Sequence, residues 1–238
     1  LWQEPMKNQT TFRIGGPADI LILPNSIEDL RQALGILKGM DIPLMIMGAG
    51  SNLLVSDKGI RGVVIKIGPG FDEIRTEKNL LVSGAGATLT AISRHAQREG
   101  LTGLEFAVGI PGSVGGALVM NAGAYGGQIS QFLKTATVMD RDGTIKKYSN
   151  SDLHFNYRHS RFLEEDLIAL EATFELQSGK KEEIIKRMQE LTEQRRTKQP
   201  IEMPCAGSVF KRPPNIYVGP LVEEAGLKGF RIGGAEVS

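Results

Sequence analysis

The chain is poor in the residues that would build disulfides or a metal centre. Of 238 residues one is cysteine, Cys205, so neither an internal disulfide nor a cysteine-based metal site is available. The histidines, His95, His154 and His159, lack the HExxH spacing of a zinc hydrolase, and no metal is expected. No apolar run approaches the roughly 20 residues of a membrane span. No basic stretch followed by an apolar one opens the chain, so no secretion signal is read and a cytoplasmic location without membrane contact is expected. Neither charge sign dominates: 28 Lys+Arg face 27 Asp+Glu. That balance excludes a strong general field for nucleic acid or an anionic membrane.

What is abundant is glycine, 29 residues or about 12% against a usual ~7%. It is concentrated in short loops between periodic segments. Ala18 to Leu23 reads as a strand closed by Pro24. Ser26 offers an N-cap for a helix carrying Ile27, Leu30, Leu34 and Leu37. Ile42 to Met47 and Gly62 to Ile67 read as two more strands. Past Pro69 a second unit begins, with a strand at Leu80 to Ser83 and a helix from Thr88 to Gly100. A hairpin over Thr135–Met139 and Thr144–Tyr148 turns at Asp140-Arg141-Asp142-Gly143. Leu167 to Leu176 is a strand. Lys180 to Arg196 is an amphipathic helix with Ile184, Ile185, Met188 and Leu191 on one face. A third unit follows Pro200, with a short helix near Leu221 to Ala225. The chain opens at Leu1 without methionine and stops in mid-element at Ser238, so further C-terminal residues are expected.

Two kinds of glycine loop carry chemistry. Met47-Gly48-Ala49-Gly50-Ser51-Asn52-Leu53 follows a strand, and its glycines let backbone N–H groups approach an anion. Neither this loop nor Gly84-Ala85-Gly86 completes GxGxxG, which disfavours a Rossmann dinucleotide site. No GxxxxGK[ST] is present either. Taken alone, each loop is equally well a tight strand exit. The segment Gly109-Ile110-Pro111-Gly112-Ser113-Val114-Gly115-Gly116-Ala117, continuing through Asn121-Ala122-Gly123-Ala124-Tyr125-Gly126-Gly127, holds seven glycines in nineteen residues. That content is too high for a stable ordinary helix or strand. With Val108, Ile110, Val114, Leu118, Val119 and Met120 it is also too apolar for a linker. It reads as buried backbone packed along a large flat ligand, or else as a close helix–sheet crossing.

These motifs, in this order, resemble the UDP-N-acetylenolpyruvoylglucosamine reductase (MurB) family. The resemblance runs from Thr11-Phe12-Arg13-Ile14-Gly15-Gly16 to Ala206-Gly207-Ser208-Val209-Phe210-Lys211 and looks like the shorter of two subtypes. It implies an α+β, α/β-rich chain with an FAD-binding fold of the vanillyl-alcohol-oxidase/PCMH type. Residues 1–67 and 68–198 would form the two FAD-binding subdomains, and 199–238 the start of a substrate-binding domain. Non-covalent FAD would be held by Met47, Gly48, Ala49, Gly50, Ser51, Asn52 and Leu53. Its second contact set would be Gly109, Ile110, Pro111, Gly112, Ser113, Gly115, Gly116, Asn121, Ala122, Gly123 and Ala124. The implied reaction uses NADPH to reduce UDP-N-acetylglucosamine enolpyruvate, by hydride transfer through the flavin and then protonation. A monomer is expected, with no nucleic-acid or membrane partner.

Tyr157-Arg158-His159-Ser160 matches the family's Tyr-Arg-x-Ser motif, so the resemblance places the catalytic arginine at Arg158. A guanidinium meets a carboxylate in a two-donor fork. Ala206-Gly207-Ser208 matches a second motif, which places the proton donor at Ser208. Tyr157 and Lys198 match substrate contacts, and Lys198 follows Arg195 and Arg196 in a cluster that could meet a pyrophosphate or simply cap a helix end. Arg212 stands where some members carry Asn, and is assigned to substrate on that basis. The family's catalytic glutamate has no match before Ser238; Glu236 lies too early. His154 and His159 read as structural or exposed, and Cys205 as an incidental small apolar residue. Two competing readings remain: an FAD-linked oxidase of a hydroxy acid or sugar, and a non-catalytic FAD-binding module.

Overall fold

The computed structural model describes residues 1–213 and 216–238. Its first sheet has four strands in the order β1-β2-β4-β3. These are β1 (Trp2–Pro5), β2 (Pro17–Ile22), β3 (Leu44–Met47) and β4 (Ile60–Lys66). Strands β2, β3 and β4 run parallel, and β1 pairs antiparallel with β2. The crossover from β2 is α1 (Ile27–Leu37), where the Ser26 side chain accepts the Asp29 N–H and Leu30, Ala33 and Leu34 are buried. Both faces of the sheet are covered, which explains its near-continuous apolar strands. Leu21, Val64 and Met47 pack with Met6 and Val55 on one side. Val63, Ile65 and Ile67 face the main core on the other.

The second sheet is antiparallel, in the order β11-β10-β12-β6-β5. Its strands β5 (Ile74–Glu77) and β6 (Leu80–Gly84) lead into α2 (Leu89–Arg98) and a short β7 (Leu101–Thr102). Then come α3 (Val114–Val119), a small ribbon of β8 (Gly123–Ala124) and β9 (Gly127–Gln128), β10 (Leu133–Met139) and β11 (Ile145–Ser149). The unit closes with α4 (Arg161–Glu164), β12 (Ile168–Glu175), β13 (Gln177–Ser178) and α5 (Lys181–Lys198). One apolar core joins the two sheets: Leu30, Val63 and Ile65 share it with Leu81, Ile92, Val138 and Phe174. Beyond α5 the chain carries α6 (Val218–Glu224) and a hairpin of β14 (Arg231–Ile232) with β15 (Ala235–Glu236). Here Val209, Phe210, Tyr217, Phe230 and Ile232 are exposed. No helix among the described residues is long and apolar enough to cross a membrane.

Several expectations need correction. The strand expected from Ile42 starts at Leu44, because Pro43 cannot donate to the ladder and instead accepts the Val63 N–H through its carbonyl. The glycine-rich segment does contain a helix, α3, despite Gly115 and Gly116. Ser113 caps it, and Gly115 lies so close to Ala85 that a Cβ would stand 3.1 Å from the Ala85 Cβ. Val114 and Leu118 are fully buried there, whereas Val108, Ile110, Val119 and Met120 are half-buried. On α5, Ile184, Met188 and Leu191 are buried but Ile185 is exposed, since it sits one residue off that stripe. Cys205 is exposed rather than packed, and its sulfur accepts the Gly207 N–H.

Candidate active site

The loop after β3 and the loop before α3 lie against each other. A Cβ on Gly48 would stand 2.1 Å from Ser113 Oγ, and one on Gly112 would stand 3.2 Å from Ser51 Oγ. Gly50, at φ +68, presses on a third segment: its Cβ would lie 2.4 Å from the Gln9 carbonyl. The second loop is fixed by the chain following β6. Leu89 N–H donates to Gly112 O, Val114 N–H to Ala87 O and Gly115 N–H to Ala85 O. Ser113 Oγ accepts the Gly116 N–H.

The backbone N–H groups of residues 48–53, and those of Gly112 and Ser113, donate to no acceptor among the described residues. Unpaired donors clustered where no side chain blocks approach suit an anion such as a pyrophosphate. The residues present therefore fit a flavin dinucleotide. Lys66 sits at the base of this cradle, across the ladder from Met47, with its ammonium donating to Gln9 Oε1 at 2.8 Å. Burial lowers its pKa, against a smaller opposing pull from Glu4.

A second cluster forms around Arg158. Asn156 and His159 exchange backbone N–H···O bonds of 3.1 and 3.2 Å, so Tyr157 and Arg158 are the tip of a two-residue hairpin. Arg158 adopts φ +54, a left-handed conformation uncommon for an arginine. Its guanidinium lies 5.0 Å from the Tyr157 ring centroid and donates to the carbonyls of Asn121 and Gly123, each at 3.5 Å. Asn121 is buried, also left-handed at φ +41, and joins three segments. Its amide donates to Asn156 O, its side-chain oxygen accepts the Ser130 N–H, and its carbonyl meets Arg158. Ser160, fully buried, donates to Val119 O at 2.7 Å and seats the hairpin on α3. Asn121 and Arg158, expected from motifs far apart in sequence, thus meet directly.

Ser208 is exposed, on a strap with an anchor on either side. Thr11 Oγ1 donates to Cys205 O at 2.8 Å, and the Arg212 backbone N–H donates to Tyr157 Oη at 3.1 Å. The strap thereby reaches both the N-terminal segment beside the cradle and the Arg158 hairpin. The Arg212 guanidinium itself lies over the Tyr217 ring. Lys198 is exposed at the end of α5 and is not brought to this cluster; from the same helix, the Arg195 side chain lies against Gly109.

Three contributors escaped the sequence reading: Thr11, Asn156 and Glu164. Glu164 accepts from His154 and His159, and those hydrogen bonds, His154 first, lower its pKa. Nothing in local spacing marks Thr11 or Glu164, because their partners come from tertiary structure. Asn156 carried a weak turn signal, and its Oδ1 accepts the Tyr157 N–H.

Comparison with known proteins agrees with this geometry. The profile described as an FAD binding domain matches residues 18–149, and that of the UDP-N-acetylenolpyruvoylglucosamine reductase C-terminal domain matches 199–238. The UDP-N-acetylenolpyruvoylglucosamine reductase of Alkaliphilus metalliredigens is 50% identical over 99% of this chain and 78% of its own length. The crystal structure of the enzyme of that name from Thermus caldophilus superposes with a TM-score of 0.84 at 36% identity, over 98% of this chain and 83% of that one. A cholesterol oxidase from Brevibacterium sterolicum shares the fold alone, with a TM-score of 0.54 at 17% identity over 71% of this chain and 36% of that one. The chain belongs to the UDP-N-acetylenolpyruvoylglucosamine reductase family, FAD-dependent oxidoreductases of peptidoglycan synthesis.

Proposed function

We propose that this chain reduces UDP-N-acetylglucosamine enolpyruvate to UDP-N-acetylmuramate with NADPH as reductant. Bound FAD would supply the hydride relay between NADPH and the enolpyruvyl methylene carbon. The cradle residues 47–53, 109–113, Gly115 and Gly116, with Asn121 to Ala124, hold the cofactor in this reading. Arg158 binds the pyruvyl carboxylate. As hydride reaches the methylene carbon, negative charge spreads onto that carboxylate, and a fixed guanidinium lowers the barrier by meeting the charge where it develops. Ser208 then gives its proton to the adjacent carbon, and solvent restores the hydroxyl. Tyr157 and Arg212 contact the nucleotide sugar beside the hairpin, while Lys198, exposed at the end of α5 and apart from this cluster, is assigned to it by the family resemblance alone.

The observation that carries this reading is the placement of Arg158. Its guanidinium rests on the carbonyls of Asn121 and Gly123, in the segment assigned to the flavin, and takes no carboxylate there among the described residues. The division at residues 67 and 198, a cytoplasmic location and a monomeric state belong to the same proposal. Stopped-flow absorbance of the flavin tests it: NADPH should bleach the flavin, and the UDP-sugar should restore its colour. Reoxidation by oxygen alone, with no response to the UDP-sugar, would overturn it.

A further inference from the structure

The Arg158 hairpin is tied on two sides. Toward the core, Asn121 holds Asn156 O and Ser160 holds Val119 O. Toward solvent, one carboxylate joins the residues flanking the tip: Glu164 Oε2 lies 2.9 Å from His154 Nδ1, and Oε1 lies 2.7 Å from His159 Nε2. Glu164 is the last residue of α4, so a short helix closes back over the hairpin it follows. The enclosed backbone is unfavourable on its own, with His154 at φ +48 and Arg158 at φ +54. Such conformations persist only where the surroundings over-determine them.

We infer that Glu164 is a positioning residue for Arg158: its carboxylate, bridging His154 and His159, holds the hairpin tip in the conformation that presents the guanidinium to the substrate. The inference rests on the assignment of Arg158 above. Other charged groups around the bridge are engaged. Asp152, whose charge acts on His154, accepts from Ser149, while Arg161 pairs with Glu165 and lies over the Tyr148 ring. Helix α3, packed beneath α4, has no titratable side chain. The two imidazole contacts hold Glu164 below the usual carboxylate range. The bridge is therefore intact above the ordinary glutamate pKa of about 4.3 and is lost as pH falls through the lower folded value.

The test uses the FAD-loaded full chain and compares wild type, Glu164→Gln and Arg158→Lys in both half-reactions. Glu164→Gln is expected to reoxidise about fivefold more slowly than wild type, and to leave flavin reduction by NADPH unchanged. Backbone amides of Asn156 and His159 should exchange hydrogen about fivefold faster in the variant. A wild-type reoxidation rate in Glu164→Gln, with Arg158→Lys slow, overturns the inference and leaves Arg158 in place. Equal slowing of both half-reactions also overturns it. A wild-type rate in Arg158→Lys overturns the assignment and the inference together. If Glu164→Gln loses its flavin, His154→Gln combined with His159→Gln takes its place, with the same expected slowing.

Discussion

The phenolic oxygen of Tyr157 accepts the backbone N–H of Arg212 at 3.1 Å, across 55 positions of sequence. That bond joins the strap carrying Ser208 to the hairpin carrying Arg158. The proposed proton donor and the proposed carboxylate ligand thus sit on linked supports, although each arises from a separate motif.

Tyr157→Phe isolates this link. It keeps the ring beneath the Arg158 guanidinium and deletes the acceptor of the Arg212 N–H. Losing one neutral hydrogen bond should raise the KM for the UDP-sugar about two- to tenfold. Flavin reduction by NADPH should not change. An unaltered KM, measured by steady-state kinetics, would show that the strap holds its place without the phenol.

Arg158→Lys keeps the charge and loses the planar two-donor fork. Reoxidation of reduced flavin by the UDP-sugar should fall by about 10²–10³, the range for removing a positioned transition-state donor. NADPH should still bleach the flavin. Near-normal turnover would take Arg158 out of the carboxylate-binding role.

Ser208→Ala removes one hydroxyl with little change of volume. The reductive half-reaction should proceed normally, since no substrate carbon takes a proton in it. The oxidative half-reaction should slow by about 10²–10⁴. Rapid-mixing absorbance with a parallel binding assay decides the role. If saturating UDP-sugar restores the rate, Ser208 serves binding rather than proton transfer.

Gly48→Ala places a methyl group where Ser113 Oγ now lies, only 2.1 Å from the new carbon. Either the two loops part or Ser113 gives up its cap of α3. The ratio of flavin to protein absorbance after purification should drop. Circular dichroism separates cofactor loss from unfolding. Full flavin content in a normally folded variant would show that the cradle does not require this close approach.

The helices with local caps were legible in the sequence. Ser26 and Thr88 each accept an N–H three residues on, at Asp29 and Ala91, and such bonds depend only on neighbouring residues. Strands β1 and β5 were not, because each is a short edge strand whose identity comes from its partner. Helix α3 ran against propensity: its glycines are disfavoured singly but permit the approach to Ala85 that buries the helix. At the site, motifs pointed to Arg158 and Ser208, yet neither the hairpin tip nor the strap anchors could be read from them. Asn156 with His159, Thr11 with Cys205, and Glu164 with its two histidines become partners only after the chain has folded.

In the proposed role of Arg158, its left-handed backbone sets heat resistance and catalysis against each other. A glycine at that position would relax a conformation that costs an arginine about 1–3 kcal/mol. The guanidinium would be lost in the exchange. A laboratory selection scoring only survival on heating would be drawn to this hairpin and would return a sturdier, inactive protein. Any campaign to harden the enzyme must therefore assay turnover beside melting temperature from its first round.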